Sequence, residues 1–376
     1  MKKVTVLGAG LVGSAMVHDL SKSFQVQAVD LDPQALNRLN GFANITTTRA
    51  NALDPGLFLE ITRGSDLIIG ALPGNLGYQS VKMAIEAGIH MVDISFFPED
   101  PFQLDRLAQH QGVTILTDLG VAPGMGNLLL GYHNARMKVD AFRCMVGGLP
   151  FKREWPWQYR AVFSPIDVIE EYTRPARFRV NGKEVIREAL SDPELVSFDG
   201  IGTLEAFNTD GLRSLLTTMN IPDMIEKTLR YPGTIDYLRM LRQGGFFSEE
   251  PVQVKDQWVR PIDLTASMVF PQWKLEPGEE EFTVMRVEIT GFEEGQRVQY
   301  RYDLFDRYDR DTQTTSMART TGYTATAAAN LILEGSLRKP GVNPPELIGD
   351  HEAHFQYILS YLKERGIHYV PAKSSL

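Results

Sequence analysis

A single cysteine in 376 residues, Cys144, excludes an internal disulfide and any cysteine-ligated metal cluster. The seven histidines are scattered, and "HEAH" (His351 to His354) lacks the i, i+4 spacing of a zinc-binding helix, so no metal is expected. Positive charge is in deficit. Against 47 Asp and Glu stand 38 Lys and Arg, and a net charge of −9 offers little to neutralise a phosphate backbone, which excludes nucleic acid as an expected partner. No run approaches the roughly 20 apolar residues of a membrane span. The opening "MKKVTVLGAG" shares only its lysines with a signal peptide: glycines break its apolar run and no small-residue cleavage site follows. The fold is therefore expected to begin at Met1 and the protein to be cytoplasmic. Repeats and low-complexity tracts are absent too, and the length predicts two domains.

What is present begins with "KKVTVLGAGLVGSAMVHDLSKS", a β-rich run followed by Gly8, Gly10 and Gly13 in G-x-G-x-x-G register and then a helical pattern. A second strand, "VQAVD", ends at Asp30, 22 residues beyond Gly8. Strand, glycines, helix and acid together predict a dinucleotide site. Gly8 permits the turn, Gly10 lets backbone approach a pyrophosphate, and Gly13 lets helix pack on strand. Leu11 and Val12 lie between these glycines, and Asp30, with Leu31 beside it, is placed to accept from a ribose diol. A 2′-phosphate would meet the carboxylates of Asp30 and Asp32, while Arg38 lies about a helical turn away. NAD is therefore expected over NADP. Alternating strands and helices continue to "VTILTDLG", giving six strands and a doubly wound Rossmann sheet. Ligands of such sheets lie beyond the carboxyl ends of the strands. That places Leu72 and Pro73 of "ALPGN", Asp93 and Ser95 of "DIS", and the loop "DLGVAPG" on one crevice. "TILTDLGVAPGMGN" forms a second glycine-rich elbow there, at the mouth of the last strand.

From "VDAFRCMVGGLP" onward the pattern changes to long strands. "SPIDVIEEYT" opens like a capped helix, "ARFRVNGKEVIRE" reads as a hairpin around Asn181-Gly182, and "VMRVEITGFEEGQRVQYRYDLFD" as a hairpin with a longer turn. This predicts an α+β domain of antiparallel strands. "ARTTGYTATAAANLILEG" is a helix of small residues, expected to return to the first domain, with an ordinary core helix of the second domain as the alternative. The predicted architecture is α/β, a Rossmann domain of residues 1–122 and about 316–376, interrupted by an α+β domain of residues 123–315.

The blocks "VLGAGLVG", "DLGVAPGMGN", "VGGLP", "VFSPIDVIEEYT", "GTLEAFNTDG", "KTLRYPG" and "MARTTGYTATAAANLI", in this order, resemble the saccharopine dehydrogenase family, most closely its lysine 6-dehydrogenase branch. The resemblance implies NAD(P)-linked oxidation at an amine-bearing carbon of an amino acid or amine. It also implies that the α+β domain carries substrate recognition and makes a homodimer or higher homo-oligomer. Matched residue by residue, it implies Ser95 near both nicotinamide and substrate, and Val121 and Pro123 along the nicotinamide. Phe163 and Ser164 match a stretch touching cofactor and substrate, and Thr228 and Arg230 a segment that binds a substrate carboxylate. Two positions depart from saccharopine reductases proper, which carry an acid at Ala122 and an arginine at Thr209. Both losses imply a smaller substrate, such as lysine. Asn208 stands where the lysine branch tends to have histidine.

Hydride can leave the amine carbon only once the amine is neutral, so a base is required. The candidates are Asp93, Asp118 and Asp210, with Glu205 nearby. Each has a structural alternative: Asp93 as a strand cap, Asp118 bonding its own elbow, Asp210 capping "GLRSLLTTM". Arg213 is a further candidate for a substrate carboxylate, and Trp155 and Trp157 for a lid or an interface. Competing functions are a carboxynorspermidine or other opine-type dehydrogenase, and a dinucleotide sensor without turnover.

Overall fold

The computed structural model describes residues 1–376. From the N-terminus strands and helices alternate: β1 (Lys3–Leu7), α1 (Leu11–Leu20), β2 (Gln25–Asp30), α2 (Pro33–Asn37), β3 (Ile45–Arg49), α3 (Pro55–Ile61), β4 (Leu67–Gly70) and α4 (Gly74–Glu86). β5 (His90–Asp93), α5 (Asp105–His110), β6 (Thr114–Leu116) and α6 (Met125–Asn134) follow. Leu67, Ile68 and Ile69 of β4 have no solvent exposure, as expected of a strand covered on both faces. Asp32 and Asp54 start α2 and α3 by accepting the amides of Gln34 and Gly56, each with proline at the first helical position.

The second stretch runs through β7 (Lys138–Pro150), α7 (Pro165–Thr173), β8 (Ala176–Val180), β9 (Lys183–Arg187), β10 (Glu194–Phe198), β11 (Gly202–Asn208), α8 (Leu215–Thr218), β12 (Asp223–Arg230) and α9 (Thr234–Gln243). It continues with β13 (Val252–Val254), β14 (Gln257–Val259), α10 (Pro261–Trp273), β15 (Glu281–Glu293) and β16 (Gln296–Arg307). β8 and β9 turn at Asn181 and Gly182, both with positive φ, as a two-residue hairpin requires. The β15–β16 turn is equally tight, Glu294-Gly295 with φ 50° and 81°, and not the longer turn expected. The sheet is mixed, not antiparallel throughout, because β12 pairs with β7 in parallel while β11, β15 and β16 pair antiparallel.

The chain closes with α11 (Ser316–Glu334), β17 (Gly341–Asn343), α12 (Glu346–Gly349), α13 (Glu352–Glu364) and β18 (Tyr369–Ser375). α11 packs on α1 through its small residues. A side chain at Gly322 would stand 3.1 Å from Met16 Cγ, and Thr326 donates to the buried Asp19. β17 adds a seventh parallel strand beside β6, which periodicity could not reveal in the three residues between Pro340 and Pro344. The order β17-β6-β5-β4-β1-β2-β3 reverses chain direction at β1/β4, the switch point of a doubly wound sheet. Two compact units result: Met1–Met137 with Met317–His368, and Lys138–Ser316 with Tyr369–Leu376. α6 thus groups with the first unit, whereas the expected boundary lay at residue 122. β18 extends the mixed sheet along β16. No helix is long and apolar enough to cross a membrane.

Candidate functional site

In the first unit the β1–α1 turn sits at the switch point. Gly8 has φ 99°, and a Cβ there would lie 2.4 Å from the Ala71 carbonyl oxygen. A Cβ on Gly13 would stand 2.0 Å from the Gly8 oxygen, so this glycine permits α1 to pack against the turn. Gly10 differs: nothing lies within 4 Å of the Cβ it lacks. It is also the N-cap of α1 and supplies no side chain, so the first-turn amides keep their donors for an anion. Asp30, at the end of β2, accepts the amides of Ala9 at 2.6 Å and Asp32 at 2.8 Å, one on each oxygen. Each oxygen retains acceptor capacity for a diol. Leu11 and Leu31 are exposed although apolar, and Pro73 is exposed beside the half-buried Leu72. Open backbone, uncapped helix, carboxylate and apolar walls together fit a dinucleotide. Its chemistry would be to accept or donate hydride.

The second elbow is built by close backbone approach. Gly124 has φ 143°, a Cβ there would meet the Gly120 oxygen at 1.9 Å, and the Gly120 amide donates to Pro123. Asn127 accepts the Gly124 amide and donates to Glu346, tying α6 to α12. Val121 is buried, and Ala122 and Pro123 are half-buried. The candidate bases in this unit lie inside it. Asp93 has no exposure and accepts both the amide and the hydroxyl of Ser95. Gly70 and Gly77 make room for this pair, since side chains there would collide with Asp93 and Ser95. Asp118 is 2% exposed and holds a left-handed backbone, φ 55°.

In the second unit, register sorts the candidates by face. Phe207 pairs with Thr228, and Asn208 with Lys227, so Asn208 and Thr228 point to opposite sides of the sheet. Asn208 donates to Ser191 and Asp192. Thr209 and Thr228 come together, their hydroxyls 3.1 Å apart, and Thr209 also donates to Glu226 at 3.0 Å. Arg230 is 2% exposed and engaged on all sides. It donates to Glu171 at 2.6 Å, Tyr172 at 3.0 Å and the Leu229 carbonyl, and its guanidinium lies 4.4 Å over the Tyr159 ring. A substrate carboxylate would have to compete with Glu171 for it. Burial raises the Glu171 carboxyl above its ordinary value, and Arg230 draws it back. Asp210 does not cap a helix. It takes Arg177 through both oxygens at 2.9 Å, and α8 starts from Ser214. Glu205 accepts the Gly233 amide before α9. Ser164 is the N-cap of α7 but makes no side-chain capping bond, and Phe163 packs on the core cluster of this unit. Trp157 packs between Tyr237 and Trp273 in that core, while Trp155 is 82% exposed. Arg213 is buried.

Two family models cover nearly the whole chain. Residues 4–116 match the saccharopine dehydrogenase NADP binding domain and residues 120–367 the saccharopine dehydrogenase C-terminal domain. The chain belongs to the saccharopine dehydrogenase family. Its first unit is accordingly a nicotinamide-dinucleotide domain. Among curated relatives, an α-aminoadipic semialdehyde synthase of Arabidopsis thaliana is 27% identical over 58% of this chain and 22% of its own length. A saccharopine dehydrogenase [NADP(+), L-glutamate-forming] of Pyricularia oryzae is 24% identical over 66% of this chain and 59% of its own. The chain thus spans less than two thirds of either. The structure of saccharopine dehydrogenase (L-Glu forming) from Saccharomyces cerevisiae shares the fold, with TM-score 0.79 and both chains fully covered at 18% identity.

Glu226, Glu171, Tyr172 and Tyr159 were not among the residues singled out from sequence. One signal was available for Glu226. In "DMIEKTLR" the alternate positions Glu226, Thr228 and Arg230 put a polar row on one face of a strand buried from Glu226 onward.

Proposed function

We propose that the protein is an NAD(P)-dependent dehydrogenase acting on the amine-bearing carbon of an amino acid, of the lysine 6-dehydrogenase or saccharopine dehydrogenase type. The observation that carries the reading is the open turn at Gly10 with Asp30 at its flank, in a chain matched by both domain models of the family. Thr209 and Ala122, small where saccharopine reductases carry charge, favour a compact substrate such as L-lysine. Asp30 favours NAD, since its carboxylate would face a 2′-phosphate. Arg49, in register with Asp30 on β3 and donating to the Leu31 carbonyl, is the cation that would let NADP bind as well. Exposed apolar residues of the second unit, among them Trp258, Leu264 and Met268, favour a homo-oligomer, which sedimentation would establish.

Nicotinamide reduction with purified protein, read by absorbance, tests the proposal across L-lysine, saccharopine, NAD and NADP at alkaline pH. Turnover of lysine supports the compact-substrate reading, and turnover of saccharopine alone removes it. An opine-type enzyme would instead need a carboxylate-bearing aldehyde partner. Tight NADH binding with no amine oxidised would leave a sensor. Replacing Asp30 with Ala is expected to weaken NAD by at least about tenfold (1.4 kcal/mol); unchanged affinity would remove the ribose assignment.

A further inference from the structure

The core of the second unit packs α7, α9 and α10 on the mixed sheet at Met145 and Leu149 of β7 and Phe282 and Val284 of β15. Further along the same strands Arg143, Glu288 and Thr290 keep that face. There the structure holds a cavity of about 310 Å³, closed on its other side by Phe178 and Val180 of the β8–β9 hairpin and by Asp223 and Ile225 of β12. Val180 is 40% exposed, so the cavity reaches solvent beside it. Four charged side chains line it, Arg143, Arg179, Asp223 and Glu288, and their charges cancel. Arg179 donates to the Leu216 and Met219 carbonyls, and Asp223 accepts the Asn181 amide on one oxygen. Arg143 gives a terminal nitrogen to Glu194 at 2.6 Å, but its Nε is buried and bonded to nothing. Glu288 stands directly opposite Arg143 on β15 and makes no hydrogen bond or ion pair. Opposed side chains of neighbouring strands have Cβ atoms about 5 Å apart, so these two could pair with each other. They do not. A buried donor left without an acceptor, beside a carboxylate left without a donor, is costly unless a further group completes both.

We propose that this cavity is an effector site for an α-amino acid with an aliphatic side chain. The ligand carboxylate accepts from Arg143 Nε, its ammonium donates to Glu288, and its side chain lies along Phe178, Val180 and Ile225. A zwitterion suits a cavity whose charges sum to zero, because an ion of one sign would be attracted by one of the pair and repelled by the other. The volume is at the small end of the range for small-molecule sites, which fits a single amino acid and excludes a dinucleotide. The site lies wholly in the second unit and needs nothing from the dinucleotide turn. Thr209, Thr228 and Arg230, the candidates for substrate, do not line it. The hairpin joins the sheet through one paired position, Met224 with Arg179, so a ligand held between hairpin and sheet would tie the two together.

The test is isothermal titration of the full chain with L-norleucine, pentylamine and hexanoate, the last two being norleucine without its carboxylate and without its amine. Norleucine is expected to bind about tenfold or more tightly than either. Glu288→Gln should weaken norleucine by about tenfold or more and leave NADH affinity as it is. Val180→Trp fills the mouth of the cavity without touching a charge, and should abolish binding. Hydrogen exchange locates the ligand: norleucine should slow the amides of the β8–β9 hairpin in the wild type and in neither variant. Wild type that takes up no norleucine overturns the assignment, as do variants that bind it as the wild type does. Equal binding of pentylamine or hexanoate overturns the zwitterion. Amine turnover does not enter any of these outcomes, so failure of the dehydrogenase reading and failure of this site are told apart.

Discussion

Raising the pH is expected to destabilise the second unit through Glu226. Burial holds the carboxyl at about 8 in the folded chain, against an ordinary value of 4.5, and no cation pairs with it. Below that ordinary value it is neutral in both states and folding loses nothing. As pH rises the unfolded chain ionises first, so stability drains away through this window and the loss is complete above the folded value. Each pH unit inside the window costs about 1.4 kcal/mol, which amounts to roughly 5 kcal/mol. For a domain of this size about 2–4 °C of melting temperature accompanies each kcal/mol, so the drop is about 10 °C or more. The assay is calorimetry of wild type and Glu226→Gln at several pH values between about 5 and 9. Histidines and surface carboxylates titrate in both proteins, so their contributions cancel in the difference. The variant should gain on the wild type steadily across the window. Parallel curves would refute the reasoning, because they would mean that the carboxyl ionises as easily inside the fold as outside it.

Other substitutions separate packing from binding. Gly10→Ala places its Cβ in open space, so the melting temperature should hold while NADH affinity, read by fluorescence, falls by about tenfold or more (1.4 kcal/mol). Gly13→Ala drives its Cβ onto the Gly8 oxygen and should cost about 1–3 kcal/mol of stability in denaturant titration before binding is considered. Arg49→Ala should weaken NADP by about tenfold and leave NAD within a few-fold, measured by isothermal titration. Glu171→Ala leaves the buried Arg230 guanidinium without its carboxylate and should destabilise the second unit by about 3–5 kcal/mol, checked by melting.

The two halves of the candidate site were unequally legible. The dinucleotide turn could be read directly, because Gly8, Gly10, Gly13 and Asp30 act through local backbone geometry and a spacing that one βαβ unit imposes. The substrate side could not. Arg230 looked like a free carboxylate receptor until α7 brought Glu171 and Tyr172 against it. Asp210 was a candidate base with helix capping as its alternative, and Arg177, 33 residues away, proved to hold it. Asn208 and Thr209 are neighbours in sequence, yet strand alternation places Asn208 on the Lys227 side and Thr209 against Glu226 and Thr228.

The chain by itself determined what depends on neighbours along it. Those features include the glycine turn into α1, the proline-started helices, the Asn181-Gly182 hairpin and the small-residue stripe of α11. Each follows from φ preferences or from side-chain period. Tertiary structure alone decided the parallel pairing of β12 with β7, the recruitment of Gly341–Asn343 as a seventh strand, and the transfer of the last strand to the mixed sheet. It also decided the charge balance around Glu226. Whether a carboxylate has a counter-ion depends on groups brought from distant positions, and no local rule counts them.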